Sequence, residues 1–253
     1  MPNIPIALQM YTVRDVAETD FIAALRQVAE IGYTGVELAG TFGLSAGELK
    51  AALDDLGLKV AGSHIGLDML EEDLASVIEY NQLIGNPYIV VPAVPGDRRR
   101  TLDDWRRLAE LLNRIGREVK QAGMQFCYHN HAFEFETFDG KCALDWLYEL
   151  TDPDLVKAEI DVYWVQYAGQ DPVTYLRKYA DRLVLVHLKD MEPGDERFFA
   201  EVGEGVIEWP PIFEASEAAH VQWYVVEQDR CRRPSMESAR ISLQNLRGMV
   251  SNL

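Results

Sequence analysis

Imidazole and carboxylate side chains follow several short apolar segments of this 253-residue chain. Four such segments are MQFCYHNH (124–131), VKAEIDVYW (156–164), LVLVHLKD (183–190) and WYVVEQD (223–229). A strand that crosses an ordinary core should end in turn-forming residues, whereas the strands of a β/α barrel end at a rim that carries catalytic groups. Imidazole nitrogens and carboxylate oxygens also bind divalent metals. The sequence therefore predicts a metal-assisted catalytic site at the carboxyl ends of these strands.

Each of the four segments contributes a candidate residue. His129 and His131 are two residues apart, so they face the same side of a strand. Asp161 ends an apolar run, and an aspartate buried on a central strand needs a cation or a metal as its partner. His187 and Glu227 end the last two segments after valine-rich runs. One such residue could be a hydrogen-bonded core group, but several that converge favour a functional site.

Other residues near predicted strand ends have both a functional and an ordinary structural explanation. His64 could bind substrate or make a supporting hydrogen bond, and Glu37 could bind substrate or form a surface salt bridge. Lys189 could neutralise a substrate oxyanion or pair with a neighbouring aspartate. Trp164 could offer its face to a sugar ring or pack in the core.

A glycine-containing segment, EVGEGVIEWP (201–210), follows the seventh predicted strand. Gly203 and Gly205 predict a flexible loop at a place where barrels often bind phosphate. The flanking carboxylates of Glu201 and Glu204 would repel a phosphate and argue against that ligand.

The elements that must position these residues are marked by a recurring junction, in which a helix ends at a glycine and a strand follows. Left-handed C-caps are expected at Gly32, Gly57, Gly85 and Gly123. The strands after them are short apolar runs rather than alternating ones, a pattern typical of parallel strands that are buried on both faces.

Helix starts agree with these junctions. Ser45 and Glu48 have the spacing of a capping box, and so do Thr101 and Asp104, which precede a long amphipathic segment. Asp20 can cap the helix that begins at the next residue in the same way. The chain therefore alternates between helices and strands.

Eight strands are predicted: IPIALQM (4–10), GVEL (35–38), KVAGSH (59–64), YIVVPA (88–93), QFCYHNH (125–131), VKAEIDV (156–162), LVLVHLK (183–189) and WYVVEQ (223–228). Eight strands that alternate with helices predict an α/β protein with a single (β/α)8 TIM barrel over residues 1–253. A doubly wound open sheet should carry a glycine-rich phosphate loop after its first strand, and QMYTVRD is no such loop.

Composition excludes several classes of partner. The formal net charge of −17 and the pI of about 4.7 would repel a phosphate backbone, so nucleic acid is not an expected partner. The apolar runs are shorter than the roughly 20 residues of a membrane span, and MPNIPIALQM lacks the features of a signal peptide. We therefore expect a cytoplasmic protein. Its three cysteines, an odd number without CxxC spacing, are expected to be reduced, with Cys127 in the core.

From about residue 6 to residue 246, the chain resembles the sugar phosphate isomerase/epimerase family of the xylose isomerase-like TIM barrel superfamily. The resemblance is carried by LQMYTVRD, GVELAG, YHNHAFEF, HLKD, VGEGVIEWPPIF and VVEQD. These motifs are specific for the superfamily and do not separate its activities. Relatives include ketose epimerases, inosose dehydratase, dehydroshikimate dehydratase and enzymes that act on oxidised glycosides.

The resemblance implies one divalent metal among side chains from strands five to eight. Asp161, His187 and Glu227 match the ligands of strands six, seven and eight. Many members place a glutamate on strand five, whereas this chain has His129 there, with Glu134 as the alternative donor. This departure puts the two-glutamate proton exchange of the ketose epimerases in doubt. The mixture of donors favours Mn²⁺, with Zn²⁺, Co²⁺ and Mg²⁺ as alternatives.

The predicted function is that of a metal-dependent isomerase or epimerase acting on a sugar or a sugar-derived carbonyl compound. The metal would stabilise an enediolate while a nearby base moves the proton of the adjacent carbon. Glu227 and His131 are the base and acid candidates, and Lys189, His64 and Glu37 would hold substrate oxygens. The alternatives are a metal-dependent dehydratase or lyase, acting on a keto-cyclitol or an oxidised glycoside, and a non-catalytic sugar-binding barrel. The oligomeric state is not predicted.

Overall fold

The computed structural model describes residues 4–250, in which eight parallel strands close into a barrel. The strands are β1 (Ile6–Gln9), β2 (Gly35–Leu38), β3 (Lys59–His64), β4 (Tyr88–Val91), β5 (Gln125–His129), β6 (Lys157–Asp161), β7 (Leu183–Leu188) and β8 (Trp223–Val226). They follow one another in chain order around the barrel, which closes where β1 pairs with β8 and Ala7 lies opposite Val225. The predicted TIM barrel is confirmed, and the two ends of the predicted domain lie outside the described residues.

Helices surround this barrel and connect its strands. They are α1 (Arg14–Ala17), α2 (Phe21–Ile31), α3 (Ala46–Leu56), α4 (Leu67–Glu72), α5 (Leu74–Leu83), α6 (Leu102–Gln121), α7 (Ala143–Leu150), α8 (Val162–Tyr167), α9 (Pro172–Lys178), α10 (Trp209–Ala218) and α11 (Ser235–Val250). The loops after β5 and β7 each contain a short antiparallel pair of strands, within residues 137–142 and 190–200 respectively. Among the helices of residues 4–250, none has the length and apolarity needed to cross a membrane.

The predicted helix ends are confirmed. Asp20 accepts a hydrogen bond from the backbone of the first turn of α2, and capping boxes join Ser45 to Glu48 and Thr101 to Asp104. The φ angle is positive at each predicted glycine, namely Gly32, Gly57, Gly85 and Gly123. Because these glycines stop each helix at a left-handed residue, the chain turns back and enters the next strand.

Side chains inside the barrel change from apolar to polar between the amino and carboxyl ends of the strands. An apolar cluster fills one end: Ala7, Ala61, Tyr88, Val90, Cys127, Leu185, Trp223 and Val225. Alternate residues of a strand point the same way, so His129 follows Cys127 on the inner face. Glu227 follows Val225 in the same manner. The apolar layer, which includes Cys127 as predicted, thus supports a polar layer at the carboxyl rim.

Candidate metal centre and active-site pocket

A pocket of about 330 Å³ opens at the carboxyl rim of the barrel. Its lining residues are Tyr11, Ala39, His64, Pro92, Ala93, His129, His131, Lys189, Glu227 and Asp229. Five of the predicted site residues are therefore brought together on one wall, although they come from strands or loops far apart in the chain. The pocket is large enough for a small polar ligand.

The four predicted metal donors also converge. One donor atom from each of His129, Asp161, His187 and Glu227 lies within 4.8 Å of the others, and we call this set the rim cluster. His187 Nδ1 is 2.9 Å from Glu227 Oε2, and His129 Nε2 is 3.7 Å from Asp161 Oδ2. Asp161 Oδ1 accepts the backbone N–H of Trp164, and the buried Oδ2 has the Lys189 ammonium as its partner. Each donor stands at the end of its strand or within one residue of it.

Two further carboxylates lie beneath the rim cluster, and we call Glu37 and Glu159 the inner carboxylates. Both are fully buried. Glu159 Oε2 is 3.0 Å from His129 Nδ1 and 2.8 Å from His64 Nε2. Glu37 Oε2 is 2.6 Å from His187 Nε2 and accepts a 2.7 Å hydrogen bond from the side-chain amide of Gln9. Glu37 therefore forms no surface salt bridge, because the barrel closes around it.

Sequence reasoning missed two residues of this site. Glu159 precedes Asp161 by two residues, so both face the barrel interior. Asp229 follows Glu227 by two residues and lines the pocket. The same two-residue spacing that identified His131 beside His129 could have found both.

Lys189 places a buried ammonium group among carboxylates. Its Nζ is 3.0 Å from Asp161 Oδ2, 2.8 Å from Glu227 Oε2 and 2.7 Å from Asp229 Oδ1. Burial alone would lower the pKa of Lys189, but these three carboxylates raise it well above its usual range. Lys189 is therefore a fixed positive charge at the pocket wall.

Asp190, the next residue in the chain, pairs with the loop after β7 and not with Lys189. Its carboxylate accepts hydrogen bonds from the backbone of Gly203, Gly205 and Ile207 and from the indole of Trp209. The amides of the loop that the sequence predicted to be flexible are thus bound to a buried carboxylate. Each of these three amides therefore already has a carboxylate acceptor.

His131 projects into the pocket from the loop after β5, and two neighbours define its surroundings. Its Nδ1 is buried and lacks a hydrogen-bond partner among residues 4–250, and its ring centroid lies 5.3 Å from that of Trp164. Burial and the charge of Lys189 lower the pKa of His131 to about 3. Trp164 also packs against Tyr163 and Phe199, so it forms part of an aromatic wall behind the histidine.

Glu134 lies apart from the rim cluster. It is fully buried, and its two oxygens accept hydrogen bonds of 2.8 Å from the Tyr128 hydroxyl and from the backbone N–H of His131. Burial raises the pKa of Glu134 to about 8. Because both oxygens are engaged in holding the loop, this geometry favours His129 over Glu134 as the strand-five donor.

The site carries an excess of negative charge. Its five carboxylates are Glu37, Glu159, Asp161, Glu227 and Asp229, against the ammonium of Lys189 and the imidazoles of His64 and His187. Burial would lower the pKa of His64, but Glu37 and Glu159 raise it to about 10. Burial and the neighbouring histidine charges lower the pKa of His129 well below its usual range. Buried carboxylates need compensating cations, so this donor set suits a divalent metal.

Known proteins are similar to this chain in both sequence and architecture. Inosose dehydratase from Geobacillus kaustophilus (strain HTA426) is 32% identical over 246 residues, which cover 81% of this chain and 79% of that protein. Inosose dehydratase from Lacticaseibacillus casei is 28% identical over 250 residues, covering 84% of this chain and 83% of that protein. A crystal structure of a sugar phosphate isomerase/epimerase from Parabacteroides distasonis ATCC 8503 superposes with a TM-score of 0.82 at 26% identity, covering 97% of this chain and 94% of that chain.

The family comparison agrees with the barrel and with the resemblance seen in the sequence. Residues 25–249 match the family described as the xylose isomerase-like TIM barrel. This match spans most of the chain and includes strands β2 to β8 with all four members of the rim cluster. The chain belongs to the xylose isomerase-like TIM barrel family.

Proposed function

We propose that this protein is a metal-dependent dehydratase that removes water from a keto-cyclitol or a related sugar-derived ketone. The observation that carries the proposal is the rim cluster, in which two imidazoles and two carboxylates from four strands converge beside an open pocket. The inosose dehydratases among the relatives support elimination over the isomerisation or epimerisation that the sequence first suggested.

One divalent ion would be held by His129, Asp161, His187 and Glu227. The donor chemistry fits: two imidazoles and two carboxylates converge, and the partner of the buried Asp161 Oδ2 is the Lys189 ammonium, 3.0 Å away. Mixed imidazole and carboxylate donors accept Mn²⁺, Zn²⁺, Co²⁺ or Mg²⁺, and Mn²⁺ remains our expectation. When bound, such an ion stabilises negative charge that develops on a substrate carbonyl oxygen.

The side chains around the pocket can move the protons of an elimination. His131 lines the pocket and can take the proton from the carbon next to the carbonyl. The electron pair of that C–H bond forms a C=C bond, and the hydroxyl on the next carbon departs. His131 can return its proton to this hydroxyl, which leaves as water. Lys189 and His64 line the same pocket and can hold the remaining substrate oxygens.

Isomerisation or epimerisation is the second candidate, because it begins with the same proton transfer. It is supported by the similarity to the Parabacteroides distasonis sugar phosphate isomerase/epimerase. The two reactions differ in the fate of the hydroxyl on the carbon beyond the enediolate. Elimination loses it as water, whereas isomerisation and epimerisation retain every atom of the substrate.

Two linked measurements test the proposal. Wild-type protein, Asp161→Ala, Glu227→Ala and the exposed control Glu118→Gln are compared for bound metal. We expect about one metal per chain in the wild type and the control, and large losses in the other two. Full occupancy in both ligand variants would refute the rim cluster as the metal site.

The metal-loaded wild type is then incubated with keto-cyclitols and keto-sugars in deuterated water. We expect exchange of the hydrogen next to the carbonyl, together with a product lighter by one water. Exchange with a product that retains all of its oxygens would favour isomerisation or epimerisation. A metal-loaded protein that exchanges no hydrogen in any substrate would refute both reactions and favour a sugar-binding barrel.

A further inference from the structure

We propose that the inner carboxylates Glu37 and Glu159 position the two histidine ligands of the rim cluster and form no metal site of their own. This inference rests on the metal site proposed above. It assigns to Glu37 a role different from the substrate contact predicted from sequence. It also gives Glu159, which the sequence interpretation left without a role, a part in the site.

Each histidine of the rim cluster presents its two ring nitrogens to two different layers. His129 directs Nε2 towards Asp161 at the rim and Nδ1 towards Glu159 below. His187 directs Nδ1 towards Glu227 at the rim and Nε2 towards Glu37 below. A histidine that binds a metal through one nitrogen usually donates the N–H of the other to a carboxylate or carbonyl. Both histidines have this arrangement.

The donors also permit a second interpretation, because His64, His129, Glu159 and His187 lie within 4.8 Å of one another as well. The two candidate sites share His129 and His187, and one ring nitrogen cannot bind a metal in both sites at once. Each set adds one residue that lines the pocket, His64 or Glu227. The rim cluster supplies two carboxylates, Asp161 and Glu227, whereas the inner set supplies only Glu159. Because two carboxylates neutralise a divalent ion better than one, charge favours the rim cluster.

The surroundings of Glu37 hold it in one place. Gln9 donates to Glu37 Oε2, and the side-chain oxygen of Gln9 in turn accepts the backbone N–H of Tyr11. Gly62 lies opposite Glu37 in the register of β2 and β3, and a Cβ at Gly62 would approach Glu37 Oε1 to 2.5 Å. A larger residue at position 62 would therefore displace the Glu37 carboxylate from its present position.

Co²⁺ titration of the purified protein tests this inference, since it gives stoichiometry, affinity and a visible spectrum without any substrate. The variants are Glu159→Gln and Glu37→Gln, with Asp161→Asn as the ligand reference and Glu118→Gln as the exposed control. Circular dichroism establishes that each variant folds. Gly62→Ala provides an independent perturbation, because it displaces Glu37 while keeping its charge.

We expect one Co²⁺ per chain in the wild type and in both inner-carboxylate variants, with affinity about 10–100-fold weaker in these two. Their Co²⁺ absorption bands should shift, and Gly62→Ala should resemble Glu37→Gln. Asp161→Asn should lose more affinity than either. A purely structural role would alter folding but leave affinity and spectrum unchanged, which would overturn the inference.

Two Co²⁺ ions in the wild type and one in Glu159→Gln would overturn the inference in favour of an inner metal site. A wild type that binds no Co²⁺ would overturn both the inference and the metal site on which it rests. Because the titration involves no turnover, the expected affinity losses would support the inference even if no ketone proved to be a substrate. The failure of the inference and that of the proposed reaction are thereby separable.

Discussion

Replacing Glu134 by glutamine should change how the stability of this protein depends on pH. Glu134 is fully buried, and burial raises its pKa to about 8, whereas a glutamate in an unfolded chain titrates at about 4.3. Glutamine preserves the shape and can still accept the His131 N–H, while its amide group faces the Tyr128 hydroxyl. The substitution therefore removes the titration with little change in packing.

The sign of the effect follows from proton binding. Below pH ~4.3 the folded and unfolded states both carry the proton, so Glu134 contributes no pH dependence. Between that pH and about 8 the unfolded chain releases the proton and the folded protein keeps it. The free energy of unfolding then falls as pH rises, by at most about 1.4 kcal/mol per pH unit and roughly 5 kcal/mol across the window. Above this range both states are ionised and the decline stops.

Urea denaturation at several values between pH 5 and pH 8, with a chelator present, measures this effect. The wild type should lose its stability advantage over Glu134→Gln as pH rises, and the control Glu118→Gln should follow the wild type. Parallel profiles for the wild type and Glu134→Gln would refute the reasoning. Metal content provides a second check, because loss of metal in Glu134→Gln would make Glu134, and not His129, the strand-five donor.

Three further predictions concern the pocket and its supporting loop. His131→Ala should slow hydrogen exchange at the substrate carbon by about 10²–10⁴-fold while the metal stays bound; an unchanged rate would remove His131 from the mechanism. Lys189→Met leaves its carboxylates without their cation and should lower the free energy of unfolding by about 3–5 kcal/mol, part of which added metal should restore in urea titrations. Asp190→Asn should cost about 1–3 kcal/mol in the same assay, and no cost would mean that other contacts hold the 203–209 loop.

Strand positions were predictable because parallel strands that are buried on both faces have short apolar sequences, here preceded by helix-ending glycines. Some predicted strands were too long, because a particular residue ends the hydrogen bonding to the neighbouring strand. The predicted segment YIVVPA stops at Val91, because Pro92 has no N–H to donate to the sheet. The segment QFCYHNH stops at His129, where the side chain of Asn130 accepts the backbone N–H of Asp161.

The members of the rim cluster were recognisable because each ends a strand, and the carboxyl ends of parallel strands meet at one rim. The hydrogen-bond partners of the buried carboxylates were less predictable, since they lie far away in sequence. Glu37 meets Gln9 from 28 residues away and His187 from 150 residues away. No spacing within a single segment reveals that barrel closure buries this carboxylate.

The two layers of carboxylates explain how one barrel can hold a reactive centre in a fixed geometry. Glu227 and Asp229 line the pocket, where a bound cation that also contacts the substrate would neutralise their charge. The inner carboxylates Glu37 and Glu159 are out of reach of substrate, and His64 lies between them, 3.1 Å from one and 2.8 Å from the other. Their charge therefore acts on the histidines rather than on the ligand. Because an unsupported imidazole can rotate, the proposed role of the inner carboxylates is to fix which nitrogen of each ring faces the rim.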